Sequence, residues 1–119
     1  MARKNKEHSI QAQLVARLRW FHPELNDLVM AIPNGAPVSA RQRMYLVAEG
    51  MLAGAPDLFI AKPVKPYHGL FLELKTEKGV VSEAQKRVQI ALKESGYRVT
   101  TVHGFEEAYD AVMCYLGGI

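Results

Sequence analysis

Apolar residues in the first half of the chain recur at two spacings, which predict helices alternating with strands. Over residues 7–21 they lie three or four positions apart, as on one face of a helix. His22-Pro23 should end this helix, because the residue before a proline avoids the α region. Residues 28–32 form a short apolar run that predicts a buried strand, closed by Pro33-Asn34-Gly35. Ser39 can cap a second helix that runs to about residue 52.

The second half predicts three more strands and two more helices. Apolar runs at residues 57–61 and 69–75 predict two strands, joined by a loop that is rich in proline and lysine. Ser82 and Gln85 match the capping-box pattern and open a helix that should end at Gly96. Residues 97–102 predict a strand and residues 105–116 a last helix. The pattern therefore predicts an α/β fold, with a mixed four-stranded sheet flanked by helices.

Composition narrows the class of protein but does not determine its function. The 119 residues fit one domain, residues 1–119, and their net charge of +3 is compatible with a polyanionic partner. No apolar run is long enough to span a membrane, and without an export signal a cytoplasmic location is the default. The single cysteine, Cys114, is expected to be buried as a small apolar residue. Trp20 and Phe21 are expected in the core.

The two central strands carry the informative chemistry. If they form a hairpin whose turn centres on Lys65, Asp57 and Glu73 lie opposite one another. Two carboxylates held so close among leucines repel each other, and a divalent cation between them would reverse that effect. Oxygen ligands favour a hard ion such as Mg²⁺ or Mn²⁺.

Lys75 lies two residues beyond Glu73 and therefore on the same face of the strand. A lysine beside two carboxylates can neutralise charge, orient a water or bind a phosphate oxygen. A simpler interpretation makes Glu73 and Lys75 the solvated face of an edge strand, with Asp57 a turn residue. The hairpin alone leaves both interpretations open.

A family resemblance favours the functional interpretation. Pro56-Asp57, followed at a distance by Glu73-Leu74-Lys75, resembles the PD-(D/E)XK nuclease superfamily. Gly54-Ala55, His68-Gly69 and Ser82-Glu83-Ala84-Gln85 add a likeness to its virus-type replication-repair nuclease (VRR-NUC) domain, in the expected order along nearly the whole chain. The resemblance implies a restriction-endonuclease-like core.

It also implies roles for individual residues. Asp57 and Glu73 would bind the metal together with the backbone carbonyl of Leu74, and Lys75 would position or activate the attacking water. Glu7 matches an acid that the family supplies from its first helix, although an acid there can also complement the helix dipole. Gln85 matches a family glutamine but is equally a capping-box residue, and the two roles are compatible.

Basic residues are candidates for contacts with DNA phosphates as a group rather than singly. These candidates are Arg41, Arg43, Lys62, Lys65 and Lys78, with the N-terminal Arg3-Lys4-Lys6 cluster.

The resemblance implies an Mg²⁺-dependent deoxyribonuclease. Branched DNA such as a four-way (Holliday) junction is the expected substrate, as of a phage or bacterial repair enzyme, and a homodimer would provide two symmetric cuts. The alternatives are a monomeric nickase or flap nuclease and a non-catalytic DNA-binding module that keeps the nuclease fold. A sequence-specific restriction-like enzyme ranks lower, because so short a chain has little room for a base-reading element.

Overall fold

The computed structural model describes residues 3–33 and 38–117 and contains the predicted helices and strands in the predicted order. Asn34 and Gly35 of the expected turn lie outside the described residues. A short 3₁₀ helix, Pro23–Leu25, is the one additional element of the described chain. The others are α1 (Arg3–Phe21), β1 (Val29–Ala31), α2 (Ala40–Ala48), β2 (Leu58–Ile60), β3 (Leu70–Lys75), α3 (Glu83–Glu94), β4 (Arg98–His103) and α4 (Phe105–Leu116).

The four strands form one mixed sheet, as predicted, and they lie in it in the order β1-β2-β3-β4. β1, β2 and β3 are antiparallel neighbours, whereas β3 and β4 run parallel over six residue pairs. Leu58 pairs with Leu72 and Ile60 with Leu70, which is the predicted hairpin register. The α3 helix supplies the crossover that two consecutive parallel strands require.

The two faces of β3 carry different chemistry because successive side chains of a strand point in opposite directions. Leu70, Leu72 and Leu74 are buried in the hydrophobic core. The core also includes Leu14 and Leu18 of α1 and Ala108, Val112 and Tyr115 of α4. The alternate β3 residues Phe71, Glu73 and Lys75 face the side on which α3 packs against β4. The site residues of β3 are thus separated from the main core by the sheet itself.

Two predicted elements differ from expectation. β1 is shorter than the predicted strand and lies at the edge of the sheet. Met30 and Ala31 are exposed because no further strand among the described residues pairs on the outer side of β1. α2 ends at Ala48 rather than near residue 52, since Gly50 takes a φ of +112° that does not continue a helix. Its predicted apolar side is not buried: every α2 residue is exposed.

Three predicted core residues lie at the surface. Trp20 is 80% exposed because it is two positions from Leu18, on the far side of the helix. Phe21, in the last turn of α1, is exposed and lies under the guanidinium group of Arg17. Cys114 is exposed on α4. Within residues 3–33 and 38–117, no helix is both long and apolar enough to cross a membrane.

Candidate active site

Asp57 lies just before β2, in a loop that packs closely on the start of α3. Gly54 has a φ of +90°, and a Cβ atom there would approach the Ala84 carbonyl oxygen to 2.5 Å. A glycine is therefore required for conformation and for space. The Asp57 backbone N–H donates to the Leu72 oxygen (2.9 Å), and the Asp57 carboxylate accepts from the Leu74 N–H (2.7 Å). These bonds hold the carboxylate at the point where the β2–β3 ladder ends.

Glu73 is the one charged or polar residue of the described chain that is fully buried, with 1% of its surface exposed. Burial raises its pKa to about 8, helped by repulsion from the Asp57 carboxylate and by the hydrogen bond that Glu73, when protonated, donates to Asp57. Glu7 raises this pKa further, whereas the positive charge of Lys75 lowers it. Glu73 Oε1 is buried and has no hydrogen-bond partner among the described residues. The sheet therefore contains a carboxylate that nothing in the described chain fully compensates.

Gln85 links the start of α3 to this carboxylate. Its Oε1 accepts from the Ser82 backbone N–H (2.8 Å), and the Ser82 hydroxyl accepts from the Gln85 N–H (3.1 Å), which completes the capping box. Because Oε1 must face the Ser82 donor, the amide nitrogen is left to face Glu73, and Nε2 donates to Glu73 Oε2 (3.0 Å). In the structure Gln85 forms the cap and also contacts Glu73, and its catalytic role stays a prediction.

Lys75 is half-buried on the same face as Glu73, and a tight turn after β3 packs on its aliphatic chain. Gly79 closes this turn through its N–H to the Thr76 oxygen (3.0 Å). A Cβ atom on Gly79 would lie 3.1 Å from Lys75 Cβ and 3.2 Å from Cδ. The His103 ring lies 3.0 Å, through Nε2, from the Gly79 carbonyl oxygen, so β4 also holds the turn. Lys75 therefore has a fixed stem and a positive charge that acts on Glu73.

The two remaining predicted ligands are the Leu74 carbonyl and Glu7. The N–H and C=O groups of one strand residue face the same neighbouring strand. Since the Leu74 N–H bonds to Asp57, the Leu74 carbonyl faces the Asp57 side of β3. Glu7, half-buried on α1, lies near enough for its charge to act on Glu73, although it is the weakest of the influences on that pKa.

The donors at this site fit a hard divalent cation. A cation would relieve the repulsion between Asp57 and Glu73 and give Glu73 Oε1 the partner that it lacks. Carboxylate and carbonyl oxygens are the ligands that Mg²⁺ and Mn²⁺ prefer. Over the described ranges, no three His, Cys, Asp or Glu side chains are grouped as a ready metal cage. Asp57, Glu73 and the Leu74 carbonyl are therefore the donors that a cation here would meet first, and Glu7 is not grouped with the two carboxylates.

The predicted basic residues are not gathered at this site. Lys78 belongs to the turn that follows Lys75 and lines a cleft beside it. Lys62 and Lys65 follow β2 at the far end of the hairpin; Lys62 is roughly 16 Å from Asp57 at about 3.3 Å per strand residue. Arg41 and Arg43 are exposed on α2. The side chains of Arg3 and Lys4 are outside what the structure describes.

Sequence reasoning missed two contributors to the site. Nothing in the strand pattern indicated that the Leu74 N–H would bind Asp57, because that contact forms only where the ladder ends. Gly79 was also missed, although Glu77-Lys78-Gly79 has the composition of a turn and lies just after the lysine that it supports.

Comparisons with known proteins agree with this architecture. A family model described as the VRR-NUC domain matches residues 2–106. A solved structure titled "VRR_NUC domain protein" superposes with a TM-score of 0.83 at 22% sequence identity, over 94% of this chain and 88% of that one. At this identity the structural likeness shows the fold alone. No curated protein matches the chain.

Proposed function

Because this chain belongs to the VRR-NUC domain family, a family of nucleases and hence of hydrolases, we propose that it is a metal-dependent endonuclease that hydrolyses phosphodiester bonds in branched DNA. The observation that carries the proposal is the buried Glu73, which lies against a second carboxylate, has an oxygen without a partner and shares its face with a lysine. An acid whose only role was to face solvent would not be buried in this way. A site that takes up a cation explains the burial.

Asp57, Glu73 and the Leu74 carbonyl would hold Mg²⁺ or Mn²⁺. When bound, such an ion polarises the phosphate, lowers the pKa of a bound water and stabilises the leaving oxygen. The Lys75 ammonium group positions the attacking water and supplies positive charge where the phosphate gains negative charge. Gln85 holds one oxygen of Glu73 in place through its amide nitrogen.

A cleavage panel tests this proposal. Linear, flap and four-way DNA of matched sequence are incubated with wild type and with Asp57→Asn, in Mg²⁺ and in EDTA. We expect wild type to cut branched substrates in Mg²⁺ only, and Asp57→Asn to lose at least about 100-fold in rate. Cleavage in EDTA, or equal rates for the two proteins, would contradict the roles assigned.

The same panel separates the alternatives. Cutting of the flap and nicking of the four-way substrate by a monomer would favour the nickase or flap nuclease. Tight binding of branched DNA without any cleavage by wild type would favour the non-catalytic module. The presence of Asp57, Glu73 and Lys75 on one site favours catalysis, since binding alone needs no paired carboxylates near a phosphate.

We also propose that the protein acts as a homodimer. α2 has only nine residues and none of them is buried, and a helix of this length is marginal without packing. Met44, Tyr45 and Val47 on this helix are each more than half exposed, as is Leu52 just after it. We infer that a second copy of this chain covers the exposed face of α2. A two-fold branched substrate requires a second copy, because two equivalent cuts need two equivalent sites. The cytoplasmic location and the single domain of residues 1–119 stay predictions.

A further inference from the structure

A cleft of about 630 Å³ opens beside the candidate site. One wall is formed by the first turns of α1, with Lys6, Ser9 and Ile10. The other is formed by the turn after β3, with Thr76, Glu77 and Lys78, and Gly104 lies at its edge.

Each wall is continuous with a residue of the site. Thr76 directly follows Lys75 in the chain, and Lys6 directly precedes Glu7, whose charge acts on Glu73. Gly104 follows β4, and its N–H donates to the Lys75 carbonyl oxygen (3.1 Å). The cleft walls therefore adjoin Lys75 and Glu7 along the chain.

The chemistry of the walls suits a nucleotide. Lys6 and Lys78 present ammonium groups from opposite walls, and in the described part of the chain neither forms an ion pair. The Ser9 hydroxyl, which accepts from Gln13 Nε2 (3.2 Å), adds a polar group to the α1 wall. Ile10 adds an apolar surface on which a sugar or base can rest.

The size of the cleft limits what can enter. Its volume lies within the range of about 300–1,000 Å³ that is typical of pockets for single small ligands. A DNA duplex is far too wide to enter the cleft. A paired base cannot enter it either, because pairing and stacking hold the base inside the duplex. An entering nucleotide must therefore be unpaired.

We propose that this cleft binds one unpaired nucleotide of the cut strand, next to the bond that is hydrolysed. The inference rests on the proposed nuclease function and deepens it, because it gives a physical reason for a preference for branched DNA. A branch point supplies an unpaired or easily unpaired nucleotide, whereas a continuous duplex must first break a pair and a stack to fill the cleft. Lys6 and Lys78 bind its flanking phosphates.

Binding without cleavage tests the cleft by itself. Affinities are measured in EDTA for three DNA duplexes. Two of them carry one unpaired 2-aminopurine at a branch, on one side or the other of the expected cut. The third has the same sequence and is fully paired. We expect wild type to bind one of the branched forms on the order of tenfold more tightly and to change the 2-aminopurine fluorescence. The Lys6→Ala/Lys78→Ala double variant should lose this preference. It should also lower the slope of log affinity against log salt by about 1.4, at about 0.7 per single-strand phosphate.

Two further variants keep the test decisive. Arg19→Ala/Lys93→Ala removes the same charge from exposed positions outside the cleft and should keep the preference. Ser9→Trp fills the cleft without changing charge and should abolish the fluorescence change while the protein remains folded by circular dichroism. The inference is overturned if wild type shows no preference, or if the Lys6/Lys78 and Arg19/Lys93 variants behave alike.

Cleavage of both substrates in Mg²⁺ is followed in parallel. If wild type cuts DNA but lacks the preference, the nuclease proposal stands and the cleft inference fails. If wild type cuts nothing, the nuclease proposal fails, and the EDTA measurements still decide whether the cleft takes a nucleotide.

Discussion

Glu73 is an acid in a position where ionisation is costly. Its neighbours along the strand are buried leucines, the charge that acts on it most strongly is another carboxylate, and one of its oxygens has no partner in the described chain. The raised pKa expresses this cost in the metal-free protein. The same arrangement becomes favourable once a cation is bound, so the residue links stability, pH and metal binding.

The pH dependence of metal-free stability follows from that shift. Glu73 releases its proton near pH 4.5 in the unfolded chain and near pH 8 in the folded protein. Between these values the folded state holds a proton that the unfolded state has lost, so the free energy of unfolding falls as pH rises. In EDTA, the thermal midpoint of wild type should fall by roughly several degrees more from pH 5 to pH 8.5 than that of Glu73→Gln. The exposed Glu94→Gln variant should follow wild type, and parallel curves for all three would refute the assignment.

The two contacts of Gln85 can be separated by substitution. Ser82→Ala removes the hydroxyl of the cap but leaves the backbone N–H that orients the Gln85 amide. It should cost about 1 kcal/mol of stability and leave cleavage nearly unchanged. Gln85→Ala removes the donor to Glu73 and should lower the cleavage rate at least about tenfold for a comparable loss of stability. Urea unfolding and single-turnover cleavage measure the two effects, and equal rates for both variants would show that Gln85 acts only as a cap.

At the level of single residues, strand alternation was enough to place Glu73 and Lys75 on one face, and the hairpin register to place Asp57 beside Glu73. The orientation of the Gln85 amide could not be predicted, because it depends on which donor the Ser82 backbone presents. Trp20 and Phe21 were placed wrongly for a related reason: their apolar character says nothing about whether the core extends as far as the last turn of α1.

Among the local elements, the turn after β3 fixes the position of the lysine. Gly79→Ala adds a methyl group about 3.1 Å from Lys75 Cβ, closer than a comfortable contact, so the lysine or the turn must shift. We expect a fall in kcat of about tenfold, with little change in KM and only a small change in thermal midpoint. Exposed Ala91→Ser on α3 provides a control with a similarly small change. An unaltered kcat for Gly79→Ala would show that the turn does not set the position of Lys75.

The hairpin register was predictable because two runs with matched alternation and one short connection allow few pairings. The length and burial of α2 were not predictable. Its apolar residues are spaced as on a buried helix, but the spacing does not show which part of the structure would cover them. The edge position of β1 also depends on the order of strands in the sheet, which the order along the chain does not determine.

For the whole molecule, the exposed α2 helix predicts assembly. Met44→Glu/Val47→Glu introduces charges on the proposed contact surface and should convert a dimer into a monomer in multi-angle light scattering. The monomer should nick a four-way junction but lose paired, symmetric cleavage by at least about tenfold. Ile90→Glu, exposed on α3, is the matched control and should remain dimeric. A wild-type protein that is monomeric at micromolar concentration would contradict the dimer.

The central claim is that two acids from adjoining strands form a cation site, and metal binding without DNA tests it most directly. Mn²⁺ or Mg²⁺ is titrated calorimetrically into wild type, Asp57→Asn and Lys75→Ala. We expect wild type to bind, Asp57→Asn to bind at least about tenfold more weakly, and Lys75→Ala to bind as well as wild type or better, because it loses a competing positive charge. Absence of binding to wild type, or equal affinities for wild type and Asp57→Asn, would contradict the account.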